Sequence, residues 1–114
     1  MKKVLVVNCG SSSIKYALYE GKQVLVEGVM EQVKNYDLKL RQILKEIVKS
    51  GKVGSLREIK AVGHRVVHGG RISKAQVINK KVMEVIKKNS VFAPTHNPHN
   101  LQGIKILQKL LPVP

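Results

Sequence analysis

The alternation of apolar and polar residues near the start of the chain predicts three β-strands joined by tight turns. A β-branched apolar run at residues 3–8 is typical of a buried strand, and it ends at the small, turn-forming residues 9–13. Apolar residues then alternate with others over residues 14–19, and residues 20–22 form a second turn before a strand at residues 23–30. Consecutive strands with short turns indicate an antiparallel meander.

The rest of the chain predicts three helices and one further strand. Asp37 is a candidate N-cap, and apolar residues recur after it at helical spacing until Gly51. A strand is expected at residues 59–67, followed by helices at residues 79–89 and 100–111. The predicted order is βββαβαα, which is an α/β fold with one mixed sheet.

Length and composition fit a single small domain, since the chain has 114 residues, of which 43% are hydrophobic and 25% charged. Its one cysteine, Cys9, excludes an intramolecular disulfide. Without an adjacent histidine base, Cys9 is expected to be a small packing residue rather than a nucleophile. The apolar run at residues 4–7 is too short for the core of a signal peptide, and no stretch approaches a membrane span. A cytoplasmic location is therefore expected.

The charge is the most unusual bulk property, with 21 Lys+Arg against 7 Asp+Glu and a net charge of +14. Such a charge could attract RNA or another phosphate-rich partner. The cations are scattered from Lys2 to Lys109, however, and the few aromatic residues form no RNA-stacking motif. A solvated lysine-rich surface is the simpler interpretation, and no specific nucleic-acid partner is expected. A small basic module that binds phosphate or RNA without catalysis remains the alternative.

Residues 9–13, here named the glycine–serine turn, are the first candidate binding site. Small residues allow a phosphate to approach the backbone N–H groups closely, and Lys15 follows directly. The turn is not a P-loop, because the pattern G-x-x-x-x-G-K-[ST] is missing and a strand follows instead of a helix. By composition alone, an ordinary tight hairpin turn is the more common explanation.

Three longer segments carry a resemblance to a known family. Residues 4–16 (VLVVNCGSSSIKY), 61–70 (AVGHRVVHGG) and 93–104 (APTHNPHNLQGI) resemble, in this order, three signatures of acetate and propionate kinases. These enzymes belong to the superfamily of sugar kinases, actin and heat-shock ATPases. The resemblance implies a ribonuclease-H-like sheet and ATP-dependent, reversible phosphorylation of a short-chain carboxylate, which gives an acyl phosphate and ADP.

The resemblance also implies roles for individual residues. In the first segment, Asn8 would help to hold Mg²⁺, Ser11 and Ser13 would face the phosphates of ATP, and Lys15 would contact the nucleotide. In the second segment, Arg65 would bind the carboxylate and then the transferring phosphoryl group. Such a reaction depends mainly on alignment and on charge stabilisation by cations.

The spacing within the second segment agrees with a carboxylate site. On a strand, Arg65 and Val67 would point to the same side about 7 Å apart, so a guanidinium fork would lie beside an apolar surface for an alkyl tail. A surface arginine in an ion pair is the alternative. His64 and His68 would lie about 13 Å apart, which is too far to share a metal ion, so both are interpreted as structural.

The third segment would shape the acyl pocket through the loop at residues 94–96. The family usually has leucine where this chain has Thr95, whose hydroxyl would change the polarity of the pocket. The sequence therefore leaves acetate, propionate and a more polar acid open as substrates. His96 either reaches the substrate pocket or stabilises its own loop.

Members of this family are several times longer than 114 residues. Residues 1–114 are therefore expected to be a single, truncated amino-terminal domain that lacks the fifth strand and the catalytic aspartate at its end. Alone, it is expected to bind phosphate or carboxylate at most weakly, whereas the full-length form is expected to be a homodimer. In a sheet of order 3-2-1-4-5, loss of the fifth strand would leave the fourth strand as an open, association-prone edge.

Overall fold

The computed structural model describes residues 2–66, 69–70, 74–94 and 96–114, except for the side chain of Phe92. Its four strands are β1 (Lys3–Cys9), β2 (Ile14–Glu20), β3 (Gln23–Met30) and β4 (Ile59–His64). They form one sheet of order β3-β2-β1-β4. β1, β2 and β3 are antiparallel neighbours, and β4 is parallel to β1. The predicted antiparallel meander, the mixed sheet and the order of the first four strands are confirmed.

Three α-helices follow the order that the sequence predicts: α1 (Tyr36–Lys49), α2 (Lys80–Lys88) and α3 (Asn97–Leu110). Short 3₁₀ turns lie at Leu56–Glu58 and Asn89–Phe92. None of the helices within the described residues has the length and apolar character needed to cross a bilayer.

The predicted N-cap of α1 was wrong by two residues. The side chain of Asn35 accepts the N–H of Leu38 at 3.0 Å, whereas Asp37 lies in the first turn and pairs with Arg41 at 2.6 Å. An amide oxygen caps the helix as well as a carboxylate does, so composition alone did not separate the two. Gly51 ends the segment as predicted, with a φ of +77° that glycine adopts without strain.

Two other predicted boundaries also differ from the structure. α3 begins at Asn97 rather than at residue 100, because Pro98 fits the first turn of a helix, where no intrahelical N–H donor is needed. β4 ends at His64, short of the predicted residue 67, because β1 ends at Cys9 and offers few further partners. The N–H of Arg65 continues the pairing by one residue, donating to the Val7 carbonyl at 3.1 Å.

The core lies on one face of the sheet, between β1 and β2 and the helices α1 and α3. Leu5, Leu18, Ile43, Ile47 and Leu107 are among its almost fully buried side chains. No described helix packs on the opposite face at Val6, whose side chain is 40% exposed. Because strand side chains alternate, the sheet has a packed face and an open face.

Candidate functional site

Three of the predicted site residues lie in one row across the open face of the sheet. Asn8 is the register partner of Lys15 on the neighbouring strand β2. On the other side of β1, Val7 pairs with His64 and accepts the N–H of Arg65, so Arg65 follows in register beside Asn8. The order across the sheet is therefore Arg65, Asn8, Lys15, with two exposed cations flanking a neutral amide.

A shallow groove of about 420 Å³ lies at the Asn8–Lys15 part of this row. Asn8 and Lys15 line it together with Glu27 and the exposed Val29 of β3. The groove thus combines a cation, an amide and a carboxylate on an apolar floor. Polar groups of this kind, grouped at the end of a sheet, can orient a small charged ligand.

The glycine–serine turn lies at the same end of the sheet, between β1 and β2. The N–H of Gly10 donates to the Ser13 carbonyl at 2.8 Å and closes the turn. Ser11 and Ser12 are exposed, and Ser13 is half-buried. No acceptor within the described residues bonds to the N–H groups of these three serines. Three backbone donors and the serine hydroxyls therefore lie next to Lys15, which is a suitable arrangement for an anion.

Cys9 immediately precedes this arrangement, and its thiol is not a nucleophile. The side chain is buried, and burial raises the pKa of the thiol to about 11, so the neutral form prevails at neutral pH. Gly103 of α3 approaches so closely that a Cβ placed there would lie 2.5 Å from the Cys9 sulfur. The predicted role of Cys9 as a small packing residue agrees with this contact.

The histidines that the structure describes do not join a group of three metal-binding side chains. Burial lowers the pKa of His64 to about 4, so its imidazole is neutral at physiological pH. His68 lies outside the described residues. In the parts of the chain that the structure describes, no three His, Cys, Asp or Glu side chains come together to hold a metal ion.

The structure locates the remaining predicted site residues only in part. Val67 and Thr95 lie outside the described residues, so their roles stay predictions. His96 is exposed and immediately precedes α3, where its carbonyl accepts the N–H of Asn100 at 2.9 Å. The side chain of Asn100 in turn reaches the Cys9 carbonyl, so His96 lies one helical turn from the residue that contacts the glycine–serine turn.

Two residues at the site were missed by the sequence analysis. Asn100 is 2% exposed, and its Nδ2 donates to the Cys9 carbonyl at 2.7 Å, while the hydroxyl of Tyr36 donates to the Gly10 carbonyl. The signal for Asn100 was an amide on the otherwise apolar face of α3, within the third family-like segment. Tyr36 stands at the start of an amphipathic helix, and no sequence pattern distinguishes it from other core aromatics.

Comparisons with known proteins agree with the three segments. The sequence model of the acetokinase family matches residues 3–40 and, in a second section, residues 32–114. The chain belongs to the acetokinase family. It is 40% identical to an acetate kinase of Pseudothermotoga lettingae in an alignment of 137 residues, which includes 96% of this chain and 34% of the relative.

Solved structures of the acetokinase family show the same architecture. An acetate kinase of Porphyromonas gingivalis superposes with a TM-score of 0.93 at 36% identity, and a propionate kinase of Francisella tularensis with 0.82 at 35%. Each comparison includes 98% of this chain and 35% of the other. The chain thus spans about a third of the length of the acetokinase-family relatives it matches.

This acetokinase-family chain also lacks an internal segment that its relative contains. The alignment with the Pseudothermotoga lettingae protein extends over 137 residues, more than the 114 residues of the chain, so the relative has additional residues within it. The two sections of the family match overlap at residues 32–40, which places the shortening around the connection between β3 and the start of α1. Here residues 31–35 suffice as a connection, in which Gln32 has a φ of +54° and Val33 is buried.

Proposed function

We propose that this protein phosphorylates a short-chain carboxylate with ATP, giving an acyl phosphate and ADP in a reversible reaction. The observation that carries the proposal is the glycine–serine turn, whose three available N–H groups lie beside Lys15, in the same region as Asn8 and Arg65. Membership of the acetokinase family supports the choice of carboxylate as the phosphoryl acceptor.

One group of residues is proposed to bind ATP and another to bind the carboxylate. The N–H groups and hydroxyls of Ser11 and Ser13 hold phosphate oxygens of the nucleotide, and Lys15 neutralises part of their charge. Arg65, on the other side of Asn8, binds the carboxylate in a bidentate fork and then stabilises the phosphoryl group as it transfers. Val67, Thr95 and His96 are proposed to shape the pocket for the acyl group.

The described residues offer little to a resident magnesium ion. Mg²⁺ prefers six oxygen ligands and usually takes one or two carboxylates together with phosphate oxygens and waters. Asn8 supplies one neutral amide oxygen, and no cluster of acidic side chains within the described residues adds to it. Asn8 is therefore proposed as one ligand of an ion that arrives with ATP, where the ion would neutralise phosphate charge.

The part of the relatives that this chain does not match is proposed to supply the rest of the reaction. The acetokinase-family relatives are about three times as long as the part of them that this chain matches. The catalytic aspartate that the resemblance implies is proposed to lie in their unmatched part. We therefore propose that residues 1–114 alone bind ATP and do not turn it over. A cytoplasmic homodimer is proposed for the longer form.

The proposal is tested by combining binding and turnover. Calorimetry measures the affinity of the 114-residue chain for MgATP. Hydroxylamine trapping measures the acyl phosphate made by the longest naturally encoded protein that contains this chain. Lys15→Ala and Asn8→Ala are each expected to weaken MgATP binding by about tenfold, the value of one charge-assisted contact. Lys22→Ala is the matched control, because Lys22 is an exposed lysine in the β2–β3 turn.

Unchanged MgATP affinity and turnover in both variants would contradict the assignment. Salt-sensitive RNA binding without any binding of MgATP would instead support the basic binding module.

A further inference from the structure

The carbonyl groups of the glycine–serine turn are bonded to the body of the domain. Asn100 Nδ2 donates to the Cys9 carbonyl at 2.7 Å, and the Tyr36 hydroxyl donates to the Gly10 carbonyl. These donors come from two different helices, α3 and α1. Both side chains are buried, with exposures of 2% for Asn100 and 4% for Tyr36.

Two further carbonyls of the turn, those of Ser12 and Ser13, accept hydrogen bonds from backbone N–H groups. The N–H of Val33 donates to the Ser12 carbonyl at 2.9 Å, and the N–H of Gly10 donates to the Ser13 carbonyl at 2.8 Å. Val33 lies in the shortened connection between β3 and α1. Four of the five carbonyl groups at residues 9–13 therefore accept a hydrogen bond from the protein.

Fixing a carbonyl also fixes the next N–H group. A trans peptide is planar, so the C=O of one residue and the N–H of the next point in opposite directions. When Tyr36 holds the Gly10 carbonyl toward the core, the N–H of Ser11 points away from the core. The bond from Val33 to the Ser12 carbonyl directs the N–H of Ser13 in the same manner.

This orientation determines which ligands the turn accepts. Carbonyl oxygens would repel a phosphate, whereas a set of N–H groups that point outward attracts it. A hairpin turn without such bonds can rotate its peptide units and present oxygens as well as N–H groups. The donors from α1 and α3 therefore give the turn its preference for anions.

We propose that Tyr36 and Asn100 are positioning residues: Tyr36 bonds the Gly10 carbonyl so that the Ser11 N–H faces a bound phosphate, and Asn100 bonds the Cys9 carbonyl and so fixes the Gly10 N–H that closes the turn. This inference rests on the proposed function, because it assigns the geometry of that same phosphate site to two residues that never touch the ligand. Burial raises the pKa of Tyr36, so its hydroxyl stays protonated and remains a donor at physiological pH.

Tyr36→Phe tests the proposal with the smallest change, because it removes only the hydroxyl. The probe is inorganic pyrophosphate, titrated into the ¹⁵N-labelled 114-residue chain while the amide signals of Ser11 and Ser13 are followed by NMR. We expect about two- to tenfold weaker binding, which is the value of one lost hydrogen bond, and smaller shifts of these two amides.

Tyr16→Phe is the matched control. Tyr16 is also a buried tyrosine, with 8% exposure, but its hydroxyl donates to Glu46 at 3.1 Å and not to the turn. Both substitutions remove one hydroxyl bond of a core tyrosine, so a purely structural effect would appear in both. Equal pyrophosphate affinities in the two variants would overturn the inference.

Asn100→Asp adds a readout that a structural role would not change. An ionised aspartate cannot donate to the Cys9 carbonyl, whereas a protonated one can, and burial raises the pKa of a carboxyl group. We therefore compare the pyrophosphate affinity of this variant with that of the unmodified chain at each pH. The ratio of the two affinities is expected to recover as the pH falls from about 8 to about 5. A ratio that is constant with pH would count against the proposal.

The outcomes separate the inference from the proposed function. If the unmodified chain does not bind pyrophosphate, both fail. If it binds pyrophosphate and Tyr36→Phe binds equally well, the proposed function stands and the inference fails. Should Asn100→Asp not fold, the comparison of the two tyrosine variants decides alone.

Discussion

The glycine–serine turn and the outer edge of β4 both direct backbone N–H groups outward, but into opposite surroundings. At the turn, the N–H groups of three serines lie among hydroxyls and beside Lys15. At the edge, Arg65 donates inward to β1, so the N–H groups of Lys60, Val62 and His64 point outward by alternation along the strand.

The surroundings of the β4 edge are apolar. A groove of about 700 Å³ separates β4 from α2 and α3, and its lining includes Val62, Ile86, Leu107, Leu111 and Val113. Within the described residues, the Val62 N–H finds an acceptor in the Pro114 carbonyl at 2.7 Å. The edge thus offers backbone pairing next to hydrophobic surface, which suits another polypeptide segment.

The comparison shows that available N–H groups do not by themselves define a ligand. At the turn, four of the five carbonyls already accept hydrogen bonds from the protein and a cation is close, so an anion is favoured. At the edge, N–H and C=O groups both face outward beside aliphatic side chains, so a strand is favoured. Side chains next to the backbone decide which kind of partner each region takes.

The largest expected effect concerns Arg65, which follows the edge strand β4 but lies in register with Asn8 of the phosphate site. Arg65→Ala is expected to reduce turnover of the longest natural form by about 100-fold or more, because a charge contact to the transferring group is lost. Acyl phosphate formation measures the effect, and Arg57→Ala is the matched control, since Arg57 is an exposed arginine in the 3₁₀ turn before β4.

If Arg65→Ala lowers turnover by less than about tenfold, or about 1.4 kcal/mol, Arg65 is a surface cation of the β4 edge and does not contact the transferring group.

The sheet was predictable because its signals are local. Alternation and turn chemistry identified β1, β2 and β3, and the three family-like segments identified Asn8, Lys15 and Arg65 as candidates. The register between β1 and β2 then follows from the tight turn, and it places Asn8 opposite Lys15. The row of site residues on the open face was therefore within reach of the sequence.

The contacts that hold the turn were not predictable, because they join residues far apart in the chain. Asn100 and Cys9 are separated by 91 positions and Tyr36 and Gly10 by 26, so no spacing rule relates them. Whether these contacts form depends on where α1 and α3 pack against the sheet. Local boundaries such as the N-cap at Asn35 failed for a different reason, since neighbouring residues could serve equally well.

A smaller effect is expected when the packing below the turn is disturbed. In Gly103→Ala, the new Cβ would meet the Cys9 sulfur at 2.5 Å, so the Cys9 side chain or α3 must shift. Overpacking of this kind costs about 1–3 kcal/mol, which exceeds the gain of about 1 kcal/mol from replacing glycine in a helix. Urea unfolding should show the loss of stability, and pyrophosphate binding should weaken with it.

The double variant Cys9→Ala/Gly103→Ala removes the clashing sulfur and should destabilise less than the sum of its single changes. Gly63→Ala is the control, because its Cβ would meet only ordinary contacts at 3.6 Å from Val6. Additive effects of the two substitutions would show that α3 does not support the turn through this contact.

The smallest expected effect is weak self-association of the 114-residue chain through the β4 edge. The apolar groove favours pairing, whereas the net charge of +14 opposes it, so added salt should decide the balance. Raising the ionic strength from about 0.05 M to about 0.5 M shortens the Debye length severalfold, and sedimentation should then show a larger share of dimer. Pyrophosphate should not change this share at constant ionic strength, because the turn and the edge are separate regions. A clean monomer at both salt concentrations, with cooperative unfolding above about 65 °C, would show instead that the Val62–Pro114 contact closes the edge sufficiently.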